Sequence, residues 1–336
     1  MSSDFRKFSV YKILPFKILQ FSLITFIVSL HSYAQDNDMK KYSQNDVNGK
    51  TDVFGSGEVQ QLKYHFEDGF LKLPGGMTFG EVCSIDLDNR GHIYVFNRGT
   101  DHLIEFDANG NYVQTLAKGY LEAPHGLRID KYDNIWLVDS GSHIVLKMDK
   151  QGHVQMVLGR KGFADSTDTF FYAPTDVAFG PNDEIFISDG YGNSRIVKYD
   201  KEGNFVKTWG KAGKGPSEFK TPHTLIVADD LLFVGDRDNL RMQIFDLEGN
   251  HKATWTHIGA PWGLDLANDG TIMMTDGYAE RVVKFDRSGK VLGAFGTKGR
   301  SKGHFSFAHG VAVGKADEIY IAEILSWRVQ KLVPGK

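Results

Sequence analysis

One phrase, repeated six times with small changes, constrains what this chain can fold into. It opens on proline or alanine, a variable residue, then glycine or another small residue, and runs through alternating apolar residues to a turn. A second apolar stretch ends near an acid, and a third runs into Phe/Tyr/Met/Leu-Asp-x-x-Gly. The copies begin at Gly80-Glu81, Pro124-His125, Pro174-Thr175, Pro222-His223, Pro261-Trp262 and Ala308-His309, and from the second onward they are spaced by 50, 48, 39 and 47 residues. Such a period marks supersecondary units that bury their apolar faces only against one another. Within a copy, stretches such as Ile135-Trp136-Leu137-Val138 and Ile144 to Met148 alternate with period two, as strands do. A fourth strand follows the glycine turn, at Val113–Leu116, Val154–Leu158, Phe205–Trp209, Lys252–Trp255 and Val291–Phe295.

Thirty-seven glycines against nine prolines suit many tight turns. Four short strands per unit and six units predict an all-β chain, a six-bladed β-propeller. The last copy stops after its third strand, at Lys331-Leu332, so the stretch Val59–Phe66 is expected to supply the outer strand and close the ring. A length of 336 residues would ordinarily suggest two domains, yet one domain over 58–336 accounts for everything after the leader.

The N-terminus reads differently. Arg6, Lys7, Lys12 and Lys17 precede an apolar run of 13 residues, Ile18 to Leu30, short of the roughly 20 a spanning helix needs. Ser32-Tyr33-Ala34 then offers small residues at −3 and −1 of a cleavage point. Residues 1–34 are therefore expected to be a signal peptide cleaved after about Ala34, with an uncleaved anchor as the competing reading. Residues 35–57 are polar and read as a flexible leader. The mature chain is expected to be exported, periplasmic or secreted, without a stable membrane anchor, and monomeric. A net charge of −3 builds no broad cationic face, which argues against nucleic acid. The single cysteine, Cys83, excludes an intrachain disulfide and a thiolate zinc cluster.

In a repeat protein, residues shared by all copies mostly build the scaffold, and function sits where a copy departs from its siblings. Directly after the opening proline or alanine stand Glu81, His125, Thr175, His223, Trp262 and His309. Histidine occupies copies two, four and six, and alternate blades of a six-membered ring lie a third of a turn apart. Three imidazoles at one height of the central channel can form a metal site with an open fourth position, as catalytic zinc requires. Polar packing in the channel is the competing reading. The other histidines, including His102, His143, His153 and His304, hold no shared register and read as surface residues.

A second register, in the turn after the second strand, faces the same side. It holds Asn97-Arg98, Asp139-Ser140, Asp189-Gly190-Tyr191, Asp236-Arg237, Asp276-Gly277-Tyr278 and Glu323-Ile324. Two arginines and two tyrosines thus ring the mouth above the histidines, and arginine can grip a carboxylate by two parallel hydrogen bonds. The acid shared by nearly all copies is expected to cap backbone amides. Arg195, Arg241, Arg281 and Arg328 recur at one register and read as scaffold pairs.

The wording of the copies resembles the NHL family. Trp209-Gly210-Lys211-Ala212-Gly213-Lys214-Gly215 through Phe219 and Pro222, and Phe295-Gly296 through Phe307, look like NHL linkers; Asn193-Ser194-Arg195-Ile196-Val197 and Arg281-Val282-Val283 look like its third-strand openings. The departures resemble one NHL-type enzyme family, the peptidyl-α-hydroxyglycine α-amidating lyases, over about residues 80 to 332. Pro124-His125-Gly126-Leu127, Pro174-Thr175-Asp176-Val177-Ala178, Ser188-Asp189-Gly190-Tyr191-Gly192-Asn193, Pro222-His223-Thr224-Leu225, Asp236-Arg237-Asp238 and His309 carry that likeness. It implies zinc on His125, His223 and His309, an active-site tyrosine at Tyr191, and substrate arginines at Arg98 and Arg237. The implied reaction splits an N-acyl or peptidyl α-hydroxyglycine into an amide and glyoxylate, with Tyr191 taking the hydroxyl proton and the arginines holding the carboxylate.

Trp262, Tyr278 and Phe170-Phe171-Tyr172 either wall that site or pack the propeller. The family's structural calcium draws on an aspartate after the third histidine and on carbonyls that would belong to Cys83 and Leu127. Here that residue is Gly310, which makes a poor calcium site. Two rivals stand beside the lyase: a non-catalytic exported NHL propeller binding a peptide, glycan or envelope protein, and a calcium-dependent lactonase-type hydrolase.

Overall fold

The computed structural model describes residues 59–67 and 69–335. The expected signal peptide and the leader fall outside the described residues. Each of the first five copies of the repeat forms a four-stranded antiparallel sheet, and the sixth completes one with Tyr64–Glu67, giving six blades. The innermost strands are Val82–Leu87, Pro124–Ile129, Asp176–Phe179, Pro222–Ala228, Gly263–Leu266 and Ala308–Val313. Among the described residues no helix is long and apolar enough to cross a membrane.

The Asp-x-x-Gly signal works through backbone chemistry. Gly110, Gly152, Gly203, Gly249 and Gly289 sit at φ between +74° and +87°, where a side chain is costly. In each turn the glycine N–H donates to the aspartate's carbonyl. The aspartate carboxylate accepts the N–H groups two and four residues on, as Asp107 does from Asn109 and Asn111. The chain must therefore reverse there, and the third and fourth strands pair.

Burial follows position in the blade. Ile185–Asp189 is buried throughout, whereas Phe205–Trp209 alternates between half-buried and exposed. Six clusters of buried apolar side chains fill the six blade interfaces. Tyr94, Phe96, Leu127 and Leu137 join blades 1 and 2, and Val82, Ile85, Ala312 and Tyr320 join blade 1 to blade 6. The ring is closed by packing as well as by pairing.

The pairing that closes it is shorter than the sequence suggested. Tyr64–Glu67 lies antiparallel to Arg328–Pro334, from Tyr64 opposite Pro334 to Glu67 opposite Lys331. Upstream, the Leu62 N–H donates to the Ala294 carbonyl at 3.0 Å, and the Ala294 N–H to the Gln60 carbonyl at 3.0 Å. The expected strand Val59–Phe66 is thus divided between two blades: its first part follows the outer strand of blade 5. Gly293 makes room for it, since a Cβ there would come within 2.5 Å of the Leu62 side chain.

Candidate metal centre

In blades 2, 4 and 6 the pairing of the innermost strand slips at one residue, between Pro124 and Gly126, Pro222 and Thr224, and Ala308 and Gly310. The residue left out of the ladder is the histidine each time. A bulge of this kind re-aims a side chain, and here it brings three imidazoles together. Their ring centroids lie 4.7, 5.0 and 5.0 Å apart, and their candidate ligand nitrogens all lie within 4.8 Å of one another. All three are buried. Blade 1 carries the same slip between Val82 and Ser84, so its residue at this register is Cys83 and not Glu81. With no proline to mark the start, alignment on Gly80 sets the first copy two residues early.

Each Nδ1 donates to the register residue of the next blade. The acceptors are the Thr175 carbonyl for His125 at 2.6 Å, the Trp262 carbonyl for His223 at 2.7 Å and the Cys83 carbonyl for His309 at 2.6 Å. A carbonyl can only accept, so each proton sits on Nδ1 and each Nε2 carries a lone pair. The Tyr191 hydroxyl lies 2.9 Å from Nε2 of His125 and 3.1 Å from Nε2 of His223. It has one hydrogen and can donate to only one of them. Nε2 of His309 is buried with no hydrogen-bond partner.

Three buried lone pairs facing one hydrogen fit a cation. The imidazoles are also held neutral, as metal ligands must be. Burial, then the charges of Arg98 and Arg237, bring His309 down to about 3. Burial and its neighbours His309 and Arg98 hold His125 well below its ordinary value. Burial and Arg237 do the same for His223.

The turn register delivers the other three expected residues to the same mouth. Arg98 is half-buried and places Nε on the Pro124 carbonyl at 3.1 Å. Arg237 is 3% exposed and lies over the Trp262 ring at 4.2 Å. Its Nη1 donates to the Tyr191 oxygen at 3.3 Å. Nε and Nη2 are turned to the Asp238 carboxylate, at 2.7 and 3.2 Å. Burial raises the Asp238 carboxyl, but Arg237 and the Thr221 hydroxyl outweigh it and bring it to about 2.

From sequence, Asp238 enters only as part of the Asp236-Arg237-Asp238 likeness, with no role, and Thr221 does not enter at all. The signal was there: among the six turns, only this one carries a second acid two residues after the shared one. Trp262 serves as both wall and packing, with its ring 4.8 Å from His223 and 4.6 Å from Phe307. Phe171 is fully buried in the interface of blades 2 and 3, so it is core, and Tyr172 is an exposed rim residue beside His143.

The scaffold readings hold. Arg195, Arg241, Arg281 and Arg328 pair with Asp189, Asp236, Asp276 and Glu323. Asp139 accepts the Glu122 and Ala123 amides, as a cap should. His153 and His304 are exposed, but His102 and His143 are half-buried rather than surface residues. His143 accepts the Ala173 N–H at 3.1 Å, a contact between turn and linker that sequence spacing does not reveal.

One layer down the channel the donors do not suit calcium. The Cys83 carbonyl is taken by His309, the Leu127 carbonyl lies 3.5 Å from the Ser84 hydroxyl, and Gly310 offers no carboxylate. Calcium wants six to eight oxygens. A void of about 20 Å³ lies between the histidines and the next layer, room for about one water.

Below that void a guanidinium occupies the channel. Arg128 bonds Asp176 at 2.7 and 3.2 Å, the Leu264 carbonyl at 3.0 Å and the Leu225 carbonyl at 3.2 Å, so blade 2 is tied to blades 3, 4 and 5. Asp86 and Asp265 stand at its register and accept the Ile129 and Val313 amides of the next blades. Burial raises both carboxyls, mutual repulsion raises Asp86 further, and Arg128 opposes the shift. A larger cleft of about 580 Å³, among Tyr132, Trp136, Phe179 and Asp229, opens on the opposite face and touches none of these residues.

Residues 171–199 match the NHL repeat family. The chain is 35% identical over 219 residues to peptidylglycine α-amidating monooxygenase of Rattus norvegicus, covering 54% of this chain and 22% of that protein. It is 30% identical over 315 residues to peptidyl-α-hydroxyglycine α-amidating lyase 1 of Drosophila melanogaster, covering 76% of this chain and 58% of that one. The chain is a six-bladed propeller that carries an NHL repeat at residues 171–199 and is similar to α-amidating lyases. The chain thus spans about a fifth of the rat protein and little more than half of the fly lyase. A streptogramin B lyase structure shares the fold, with a TM-score of 0.60 at 15% identity over 81% of this chain and 98% of that one. At that identity the likeness speaks for the fold alone.

Proposed function

We propose that this propeller is a zinc-dependent lyase that splits an N-acyl or peptidyl α-hydroxyglycine into an amide and glyoxylate. The observation that carries the reading is the set of three inward Nε2 lone pairs facing a single phenol hydrogen, with two guanidinium groups at the same mouth. The similarity to α-amidating lyases supports it. His125, His223 and His309 would hold the zinc, which when bound supplies Lewis acidity toward an α-hydroxyl at its open position. The chain's own residues do the rest. Arg98 binds the substrate's free carboxylate and fixes its orientation. Tyr191, whose oxygen lies 2.9 and 3.1 Å from two of the ligand nitrogens, must first give up its own hydrogen, and as the phenolate it takes the α-hydroxyl proton. As the C=O bond forms the C–N bond breaks, and the departing amide nitrogen recovers one proton. Trp262 covers the histidines on one side and keeps water out.

Residues 1–34 are proposed as the export signal ahead of a single propeller domain, which would place the enzyme in the periplasm or outside the cell. The decisive experiment incubates purified, zinc-replete protein with an N-acyl-α-hydroxyglycine and follows glyoxylate. Equal amounts of glyoxylate and amide, with about one zinc per chain by elemental analysis, are expected. No glyoxylate above the spontaneous rate would end the reading in favour of a binding propeller.

A further inference from the structure

The rim of the mouth carries a group of side chains that the metal centre does not use. We propose that this face of the propeller docks on an anionic lipid surface, through Trp327, Leu325 and the basic loop beside them. The inference does not depend on which reaction the histidines support.

Four blades share a register directly before the third strand, where His143, Leu240, Glu280 and Trp327 have φ of +63°, +55°, +55° and +51°. A left-handed backbone is costly under a bulky side chain. His143 and Leu240 are half-buried and Glu280 is buried, but Trp327 is 56% exposed. The largest of the four side chains thus bears the strain without a return in packing, and strain of that kind persists where function holds it. Leu325, in the same turn, is exposed as well. The loop beside them, residues 297–304, carries Lys298, Arg300 and Lys302 and no acid. It is tied to the Trp327 turn, because Arg328 donates to the Arg300 carbonyl at 2.7 Å and to the His304 carbonyl at 2.8 Å. Cations and apolar groups are therefore held in one body on the mouth side.

A second cluster stands further round the rim. Tyr120, Phe163 and Tyr172, in the linkers before blades 2 and 3, are exposed. The Arg160 guanidinium lies 4.1 Å from the centre of the Phe163 ring, and Lys161 Nζ donates to the Tyr120 carbonyl at 2.8 Å. The opposite face is acidic. Its turns between first and second strands each carry an aspartate, from Asp88 to Asp317, and so do those between third and fourth strands, from Asp107 to Asp286. A negative plane attracts the one face and repels the other. Tryptophan and tyrosine settle at headgroup level, and lysine and arginine beside them favour anionic lipid. A soluble polyanion would satisfy the cations and leave Leu325 and Trp327 in water, whereas a bilayer takes both.

The test is sedimentation of the purified protein with vesicles of phosphatidylcholine, alone or mixed equally with phosphatidylglycerol. Binding to the mixed vesicles is expected, weakening as salt is added, with none to phosphatidylcholine alone. Replacing Lys298, Arg300 and Lys302 together with alanine should lower partitioning by about tenfold or more, since each cation near such a surface is worth about fivefold. Trp327→Asn suits a left-handed backbone. It should lower partitioning by about fivefold, the worth of about 40 Å² of buried ring, while Tm holds or rises. Tyr132→Ala, on the opposite face, should leave binding unchanged. Should the triple variant fail to fold, Trp327→Asn and Tyr132→Ala carry the comparison. The proposal is overturned if the mixed vesicles bind nothing at low salt, or if phosphatidylcholine alone binds equally well. It is equally overturned if Trp327→Asn binds as the wild type does, which would leave a general anion patch. A Trp327→Asn that melts well below the wild type would make Trp327 structural and overturn it too.

Discussion

Replacing Arg128 with methionine should show how strongly the lower channel depends on that guanidinium. The methionine keeps much of the side-chain volume and removes bonds to Asp176, the Leu225 carbonyl and the Leu264 carbonyl. Arg128 is only 15% exposed and Asp176 7%, so solvent replaces little of what is lost. Breaking such a pair from one side costs about 3–5 kcal/mol. At about 2–4 °C per kcal/mol for a large domain, Tm should fall by about 6–20 °C.

The sign of the pH effect is fixed as well. Asp86 and Asp265 have folded-state values raised above the unfolded one. Their contribution to stability is therefore fully present below about 3.9 and is lost as pH rises through the raised values. Arg128 opposes that rise, so its removal should steepen the loss of Tm between pH 4 and 8. Calorimetry or circular-dichroism melts at several pH values measure both effects. A variant that melts within about 2 °C of the wild type at pH 8, with an unchanged pH slope, would refute the reasoning.

Three further outcomes are expected. Tyr191→Phe should lower glyoxylate turnover by about 10²–10⁴ while zinc content and Tm hardly move; lost stability with normal turnover per folded molecule would make Tyr191 structural. His309→Ala should abolish zinc retention on gel filtration and elemental analysis, because the partnerless Nε2 disappears with it; undiminished zinc would remove His309 from the site. Calcium chelation with EGTA should leave Tm unchanged, since the Cys83 and Leu127 carbonyls are engaged elsewhere and Gly310 has no carboxylate; a Tm that recovers on adding calcium would contradict this.

What the sequence revealed depended on how local the cause was. The Asp-x-x-Gly turns and period-two strands act within a few residues, so Phe205–Trp209 and Val291–Phe295 coincide with the observed strands. The histidine register was legible because copies can be compared with one another, and its failure at Glu81 came where a copy lacks the proline that marks its start. Contacts between copies were not legible. Arg128 reaches Leu264 in a blade three further on, and Asp238 is satisfied by hydroxyls from a linker and from the next blade. No spacing rule links such residues, because the ring and not the local chain brings them together. The split of the stretch Val59–Phe66 has the same origin: nothing in it distinguishes a strand of blade 6 from a partner of Ala294.

The seam at Tyr64–Glu67 also sets an order of events during synthesis. The first described strand pairs with the last, so no nascent chain can complete the ring until Arg328–Pro334 has left the ribosome. Until then blade 6 has an open edge, and the strand meant for it waits as an unpaired, half-apolar segment, a combination that invites association with other chains. Blades 1 to 5 each hold four strands contiguous in sequence and can form as they emerge. The slow step of folding should therefore be the late capture of one short strand across the full length of the propeller.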